Sequence, residues 1–349
     1  MSMSKVIVGM SGGVDSAVAA YLLKQSGYDV IGLTLRTLEA ESRCCEIEDA
    51  AAAARKIGIP YHTLNCISEF KTEVISPFVE DYISGLTPNP CVVCNRCIKW
   101  ERLMYFAKVM KADFVATGHY AHVVKLENGR YTVKQASHSE KDQTYMLYRL
   151  SQEQLAATLM PLGDLSKDEV RRIAEEAGIP VAAKPDSQEI CFVPDDDYAG
   201  FIEREAADRV PPKGAFVDEE GLVLGEHQGI IHYTVGQRKG LGIALGHPAY
   251  VKKINAETNE VVLGTEDSLY SSRITCRAVN FMGIEDIADE LTCNVKVRYH
   301  HAAQPAVVRR LDDDRIEINF DKPVKAATPG QSAVLYDDSG HVLAGGIIE

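Results

Sequence analysis

Lys5-Val6-Ile7-Val8-Gly9-Met10-Ser11-Gly12-Gly13-Val14-Asp15-Ser16 is the stretch that decides the fold. Its first six residues are dominated by apolar and β-branched side chains, the pattern of a buried strand. Ser11 to Ser16 then form a glycine-bearing turn, and the apolar-rich run to about Gln25, stopped by Gly27, reads as a helix. A helix that starts directly after a strand leaves unpaired N–H groups and a positive dipole end at the turn, where glycines let the backbone wrap an anion. A bare Gly-Gly turn more often binds nothing. Six residues at the first strand-to-helix junction favour a phosphate site, although the Gly-Lys-Ser/Thr ending of a Walker loop is absent.

The same unit repeats outward from this point. Residues 29–35 read as a strand, 47–57 as a helix stopped by Gly58-Ile59-Pro60, 61–65 as a strand, the segment after Ser68 as a helix, and 114–117 as a strand. Strands alternating with helices imply a doubly wound parallel sheet covered on both faces, an α/β domain. Residues 123–136 alternate about Glu127-Asn128-Gly129 as a hairpin does, and 166–178 is a short helix with a Ser start and a Gly end. Past about residue 205 the helical signal largely stops, and short β-like runs at 230–233, 249–254, 260–263, 294–299, 306–311, 315–320 and 332–336 take over. The expected division is an α/β domain over 1–204, a small central β-rich domain over 205–271 and a C-terminal β-barrel-like domain over 272–349.

The chain has 349 residues, of which 46% are hydrophobic and 25% charged, enough to bury two or three cores. No run approaches the roughly 20 apolar residues that span a bilayer, and the N-terminus enters a strand directly, so no membrane partner and a cytoplasmic location are expected. Nine cysteines cluster at Cys44-Cys45 and at Cys91, Cys94 and Cys97. Reduced thiols with metal, redox or nucleophilic roles fit this pattern better than a disulfide framework. The net charge of −13, with neither half of the chain basic, means that any nucleic-acid surface must be a local patch.

The Ser11-to-Ser16 hexapeptide resembles the PP-loop of ATP pyrophosphatases, which cleave ATP between the α and β phosphates and adenylate a carbonyl-type oxygen. Further blocks follow in order: Asn89-Pro90-Cys91-Val92-Val93-Cys94-Asn95, Thr117-Gly118-His119-Tyr120, Lys141-Asp142-Gln143, Asp186-Ser187-Gln188-Glu189-Ile190-Cys191-Phe192, and Tyr233-Thr234-Val235-Gly236-Gln237-Arg238-Lys239-Gly240-Leu241-Gly242. With Val297-Arg298-Tyr299 and Pro329-Gly330-Gln331 near the C-terminus, they resemble the tRNA-specific 2-thiouridylase family across the whole chain. The resemblance implies that Gly9, Met10, Ser11, Gly12, Gly13, Val14, Asp15, Ser16, Leu35 and Gly118 hold ATP. It implies that Asn89, Pro90 and Cys91 meet the target base, and that His119, Lys141, Asp142, Gln143, Arg298, Tyr299 and Gln331 contact tRNA. It makes Cys94 the nucleophile and Cys191 the persulfide carrier. The implied substrates are uridine 34 of the tRNAs for Lys, Glu and Gln, with Mg2+ on the ATP phosphates and sulfur supplied by a cysteine desulfurase or a sulfur-relay protein.

The chemistry calls for such residues independently. A uridine C2 carbonyl is a poor electrophile until its oxygen is adenylated, after which sulfur can add and AMP can leave. A thiolate is the natural sulfur carrier, and a helix N-terminus favours its formation; Cys94 is expected just before a helix that begins at about Asn95. Cys91 stands where many relatives carry an aspartate. The doubled C-x-x-C of Cys91, Cys94 and Cys97 is compatible with zinc, a dithiol cycle or a cluster, and Cys91, Cys94 and Cys191 are candidate ligands of a [4Fe-4S] cluster that would hold sulfide. Cys97, Cys44-Cys45, Cys66, Cys276 and Cys293 read as packing. Asp195 to Asp197 and Asp312 to Asp314 read as solvated acidic turns, and Lys252-Lys253 as surface. His300-His301 with Arg309-Arg310 form either a cationic strip for phosphate or a solvated strand face.

Overall fold

A computed structural model describes residues 3–39, 46–182, 184, 190–193 and 195–349 of the protein. Cys44, Cys45 and Asp186 to Glu189 lie outside the described residues. The first region contains strands β1 (Lys5–Gly9), β2 (Asp29–Arg36), β3 (Tyr61–Asn65), β4 (Phe114–Ala116), β5 (His122–Lys125), β6 (Tyr131–Lys134) and β7 (Thr158–Leu159). Five of them form a parallel sheet in the order β3-β2-β1-β4-β7, and β5 with β6 is the expected hairpin. Val6, Ile7 and Val8 of β1 are completely buried, because β1 is flanked on both edges and covered on both faces. Val6 and Val8 point into a core with Val14, Ala17 and Val18, whereas Ile7 points into another with Trp100 and Leu103. This period-2 division is what a central strand requires.

The chain moves from β1 outward to β2 and β3, then returns to the opposite side of β1 to form β4. The strand order therefore reverses between β1 and β4. At such a point the connections leaving the carboxyl ends diverge and open a crevice, so Met10-Ser11 and Thr117-Gly118 form the two lips of one opening.

The helix carrying the cysteines begins earlier than the expected start near Asn95. Pro90–Cys94, a π-helical stretch Asn95–Trp100 and Glu101–Met110 follow one another without interruption. Asn89 supplies the start signal: its side chain accepts the Cys91 N–H at 3.1 Å, and Pro90 occupies the first turn. Trp100 is fully buried and donates its indole N–H to Thr158 Oγ1 at 2.8 Å, tying this helix to the sheet edge.

The central region is a four-stranded sheet of β8 (Gly214–Val217), β9 (Val223–His227), β10 (Tyr250–Asn255) and β11 (Glu260–Gly264) in the order β10-β11-β8-β9. The run at 230–233 is not a strand. It forms the 3-10 turn Ile230–His232 after Gly229 at φ 125°, and buries Ile230 and Ile231 as plugs. Strands β12 (Tyr270–Phe281), β13 (Glu290–Lys296), β14 (Gln304–Arg310), β15 (Ile316–Lys325), β16 (Ser332–Tyr336) and β17 (Val342–Ile348) close into a barrel in the order β12-β15-β14-β13-β16-β17. The expected strand through Tyr299 ends at Lys296, and Arg298 to His301 form a turn in which the His301 N–H reaches the Arg298 carbonyl at 3.1 Å. Closure removes exposed strand edges.

The barrel docks onto the α/β domain through a shared core. Val334, Tyr336 and Val342 pack in the cluster that holds Ile7, Trp100, Tyr145 and Tyr148. Polar ties surround that contact: Tyr145 Oη donates to the Ser332 carbonyl at 2.8 Å, and Asn280 Nδ2 donates to the Tyr148 carbonyl at 2.6 Å. Trp100→Ala would leave a cavity at the centre of this shared core. It should cost about 3–5 kcal/mol, measured as a lowered urea midpoint for loss of tryptophan-independent tertiary signal; a loss under about 1 kcal/mol would contradict the central place given to Trp100.

Candidate functional site

At the end of β1 the backbone turns sharply. The Met10 N–H reaches the Leu33 carbonyl at 2.8 Å, the Ser11 N–H donates to Ser16 Oγ at 3.1 Å, and Ser16 Oγ donates to the Gly13 carbonyl at 3.1 Å. Gly12 sits at φ +85°, and a Cβ there would lie 2.6 Å from the Glu46 carbonyl oxygen. The helix Val14–Gln25 starts at Gly13 with no side chain capping it. Its first-turn amides are thus not consumed by a side-chain cap, as an anion site needs. The other lip is Gly118, where a Cβ would stand 2.6 Å from the Ser16 amide nitrogen and 2.7 Å from the Asp15 carbonyl carbon.

Between the lips lies a cleft of about 200 Å³. Gly9, Met10, Ser11, Asp15, Ser16 and Gly118 line it from the loop side, and Leu33, Leu35 and Leu103 supply an apolar wall. Phe70, Ile98, Cys94 and Cys191 complete a further wall, so the two cysteines that are 97 positions apart in the chain face one space. Gly12, Gly13 and Val14 shape the turn without lining the cleft, and Val14 is buried beneath it.

His119 and Gln143 also line the cleft. His119 Nδ1 pairs with Thr117 Oγ1 at 2.9 Å and its ring lies 5.4 Å from that of Trp100. Burial, with Lys99 nearby, holds the imidazole well below its ordinary value of 6.5, so it is neutral at physiological pH. Gln143 Oε1 accepts the Tyr120 N–H at 2.9 Å. Asp142 is buried and accepts from Thr144 Oγ1 at 2.7 Å and the Ala136 N–H at 3.2 Å, which makes it a brace for the turn. Lys141, itself half-buried, sits beside it at the end of the turn Ser139–Lys141, whose other residues are exposed.

A second group gathers at the seam with the barrel. Arg298 Nη2 donates to the Val235 carbonyl at 2.8 Å and also meets Thr328 Oγ1, joining the central region to the barrel. Tyr299 packs 6.2 Å from the Tyr145 ring and 4.7 Å from that of His300, with Lys296 Nζ 5.5 Å from its centroid. Gln331 Nε2 donates to the Thr87 carbonyl at 2.7 Å, just before Asn89 and Pro90. Cys91 is exposed near this seam, close enough to raise the Tyr299 hydroxyl pKa after burial and Asp142. The cationic strip is not formed as one unit, because Arg309 is paired with Glu290 and Arg310 with Asp286 on the barrel surface. Lys252 is paired with Glu219, as a surface lysine would be.

The family model described as the tRNA methyl transferase HUP domain matches residues 4–195, the PRC-barrel domain model 199–265 and the aminomethyltransferase β-barrel domain model 271–348. A tRNA-specific 2-thiouridylase MnmA of Lachnoclostridium phytofermentans is 50% identical over 99% of each chain, and that of Clostridioides difficile is 48% identical over 99% of this chain and 98% of its own. The chain belongs to the tRNA-specific 2-thiouridylase family. Among solved structures, the U34-tRNA thiolase NcsA from Methanococcus maripaludis with its [4Fe-4S] cluster is similar over 59% of this chain and 67% of its own, at 22% identity and TM-score 0.37.

Membership in the 2-thiouridylase family sharpens the question of the cysteines. Cys94 and Cys191 line the cleft, whereas Cys91 is exposed and is not part of its lining. Cys97 is half-buried and burial pushes its thiol up, as it pushes Cys293 up to about 12; both fit packing, as do buried Cys66 and Cys276. Asp197 caps the helix Tyr198–Glu205, and Asp312 closes its own turn by accepting the Asp314 and Arg315 N–H groups.

Thr37, Phe70, Ile98, Lys99 and Leu103 line the cleft without having been singled out by sequence. Lys99 is five residues beyond Cys94, about 140° away on an ideal α-helix. The π-helical stretch, with its i→i+5 bonding, returns it to the same side.

Gly118→Ala should abolish measurable MgATP binding in a calorimetric titration while leaving the circular-dichroism spectrum unchanged, since the added carbon meets backbone rather than a movable side chain. Titration gives a further expectation. Burial lowers the folded-state pKa of His119, and of His227, so below about pH 6.5 the unfolded chain binds protons that the folded chain does not. Stability should be level above that pH and decline as pH falls, and His119→Gln should flatten part of the decline in urea midpoints between pH 5 and 8.

Proposed function

We propose that the protein replaces the C2 oxygen of a uridine in tRNA with sulfur, at wobble position 34 of the tRNAs for Lys, Glu and Gln. The observation that carries this reading is the convergence of Cys94 and Cys191 on the cleft that begins at the Ser11-to-Ser16 loop. A nucleotide-activating loop and two thiols in one space are what activation followed by sulfur transfer requires.

In the first step the uridine O2 attacks the α-phosphorus of ATP, and pyrophosphate leaves against the uncapped N-terminus of Val14–Gln25. Mg2+ would enter on the ATP phosphates and supply charge neutralisation there. The apolar wall of Leu33, Leu35 and Leu103 suits the adenine and excludes water from the activated base.

In the second step Cys191 carries a persulfide delivered by a cysteine desulfurase or a sulfur-relay protein. Its terminal sulfur attacks C2, the C2–O bond breaks, and AMP leaves. The Cys94 thiolate then attacks Cys191 Sγ, forming a Cys94–Cys191 disulfide; the electrons of the broken S–S bond pass to the sulfur on C2, giving the thiocarbonyl. A cellular thiol reductant restores both thiols. Lys296 and Arg298, with the neighbouring hydrogen-bonding rings of His300 and His301, offer the local positive patch that a chain of net charge −13 needs for tRNA. The reaction belongs in the cytoplasm, where tRNA, ATP and reduced thiols coexist; no helix among the described residues is long and apolar enough to cross a membrane.

The test is an incubation of protein with MgATP, unmodified tRNA and a cysteine desulfurase with cysteine, read as retarded tRNA on an organomercury gel alongside pyrophosphate release. Cys94→Ser and Cys191→Ser should each abolish retardation while retaining pyrophosphate release within about threefold. Retardation surviving either substitution would overturn the assigned sulfur route, and absence of tRNA-stimulated pyrophosphate release from the wild type would overturn the activation chemistry.

A further inference from the structure

Asp15 is an awkward residue for a loop that receives a triphosphate. Asp15 is among the residues that line the cleft directly after the turn. A bare negative charge there opposes the phosphates that the uncapped amides attract. The carboxylate is nevertheless structurally useful: Tyr120 Oη donates to its Oδ1 at 2.7 Å, which ties the turn after β4 to the start of the helix Val14–Gln25.

Lys167 resolves the conflict. Its ammonium nitrogen lies 2.7 Å from Asp15 Oδ1 and 2.9 Å from Oδ2, and its side chain is only 11% exposed. Lys167 is the first residue of the helix Lys167–Glu176, where a cation opposes the helix dipole. The acids that suit this end, Asp168 and Glu169, follow it, and Ser166 with Glu169 closes a capping box. The local sequence therefore has no use for a lysine at that position, and the side chain is directed instead to the neighbouring helix, against which its own helix packs. Lys167 does not line the cleft.

We propose that Lys167 is a positioning residue for nucleotide binding: it neutralises and fixes Asp15, so that Asp15 can join three elements without repelling the triphosphate. This rests on the reading of the cleft as an ATP site. Lys167 acts on the nucleotide only through Asp15, and that property separates it from a lysine that grips phosphate directly.

The experiment is calorimetric titration of the full-length protein with α,β-methylene ATP and Mg2+, with thermal unfolding run on each variant. Lys167→Met should weaken binding about ten- to hundredfold. Lys167→Arg should stay within about threefold of the wild type, and Lys167→Met combined with Asp15→Asn should return to within about threefold, because removing both charges removes the repulsion. Unchanged binding in Lys167→Met, or a double variant as weak as the single one, would overturn the proposal. Should Lys167→Met fail to fold, the double variant against wild type decides: equal affinity supports the proposal and a tenfold loss overturns it. Failure of the wild type to bind the analogue would sink the ATP reading itself, whereas wild-type binding with no effect of Lys167→Met sinks only the role given to Lys167.

Discussion

The approach of Gly118 to the Asp15-Ser16 peptide is the contact on which the site depends. It brings the end of β4 against the first turn of the helix that follows β1, closer than any side chain permits. The reversal of strand order between β1 and β4 makes a crevice available, but topology alone leaves its width unset. Two glycines set it: Gly12 by adopting a left-handed turn beside Glu46, and Gly118 by having no Cβ to hold the lips apart. The thiols, His119 and Gln143 are then positioned relative to an opening whose dimensions are already determined by backbone packing.

The fold class was legible because β1 announces itself. An apolar run followed by a glycine turn and a helix has few other structural readings, and the repeated strand–helix alternation leads to a parallel sheet. The barrel strands were legible as alternating runs, and Ser332–Tyr336 is a strand over the limits expected. The failures share a cause. The run at 230–233 has strand-like residues, yet Gly229 turns the chain, Ile230 plugs the core of the central sheet and Ile231 plugs the core around Phe70 and Phe78. Val297 continues the alternation of β13, but Arg298 is drawn to the Val235 carbonyl and Thr328, and the chain bends to meet them. In both places a tertiary contact overrides local preference, and one-dimensional patterning carries no record of the partner.

The cysteine helix shows the same limit within the site. Asn89 and Pro90 are ordinary start signals, and in hindsight they place the helix correctly five residues before Asn95. What they do not disclose is the π-helical stretch after Cys94, because i→i+5 bonding leaves no compositional trace. That stretch decides which side chains share the cleft. It turns Ile98 and Lys99 toward the space that Cys94 faces, whereas Cys91, a turn earlier, is exposed near Tyr299. Three cysteines spaced by threes are equivalent on paper and unequal once the helix is wound.

The electrostatic design follows from the same economy of contacts. An overall charge of −13 would repel both ATP and tRNA if it were spread evenly, so the acids near the openings have to be occupied. Asp15 is held by Lys167 and Tyr120, and Asp142 by Thr144 and the Ala136 amide. On the barrel surface Glu290 and Asp286 are matched by Arg309 and Arg310. Lys296, Arg298, His300 and His301, by contrast, are gathered around Tyr299 at the seam beside Cys91. The sign of the whole protein is therefore a poor guide to its local surfaces: a few paired carboxylates, and Lys296 and Arg298 brought together at one seam, give neighbouring surfaces different local charge.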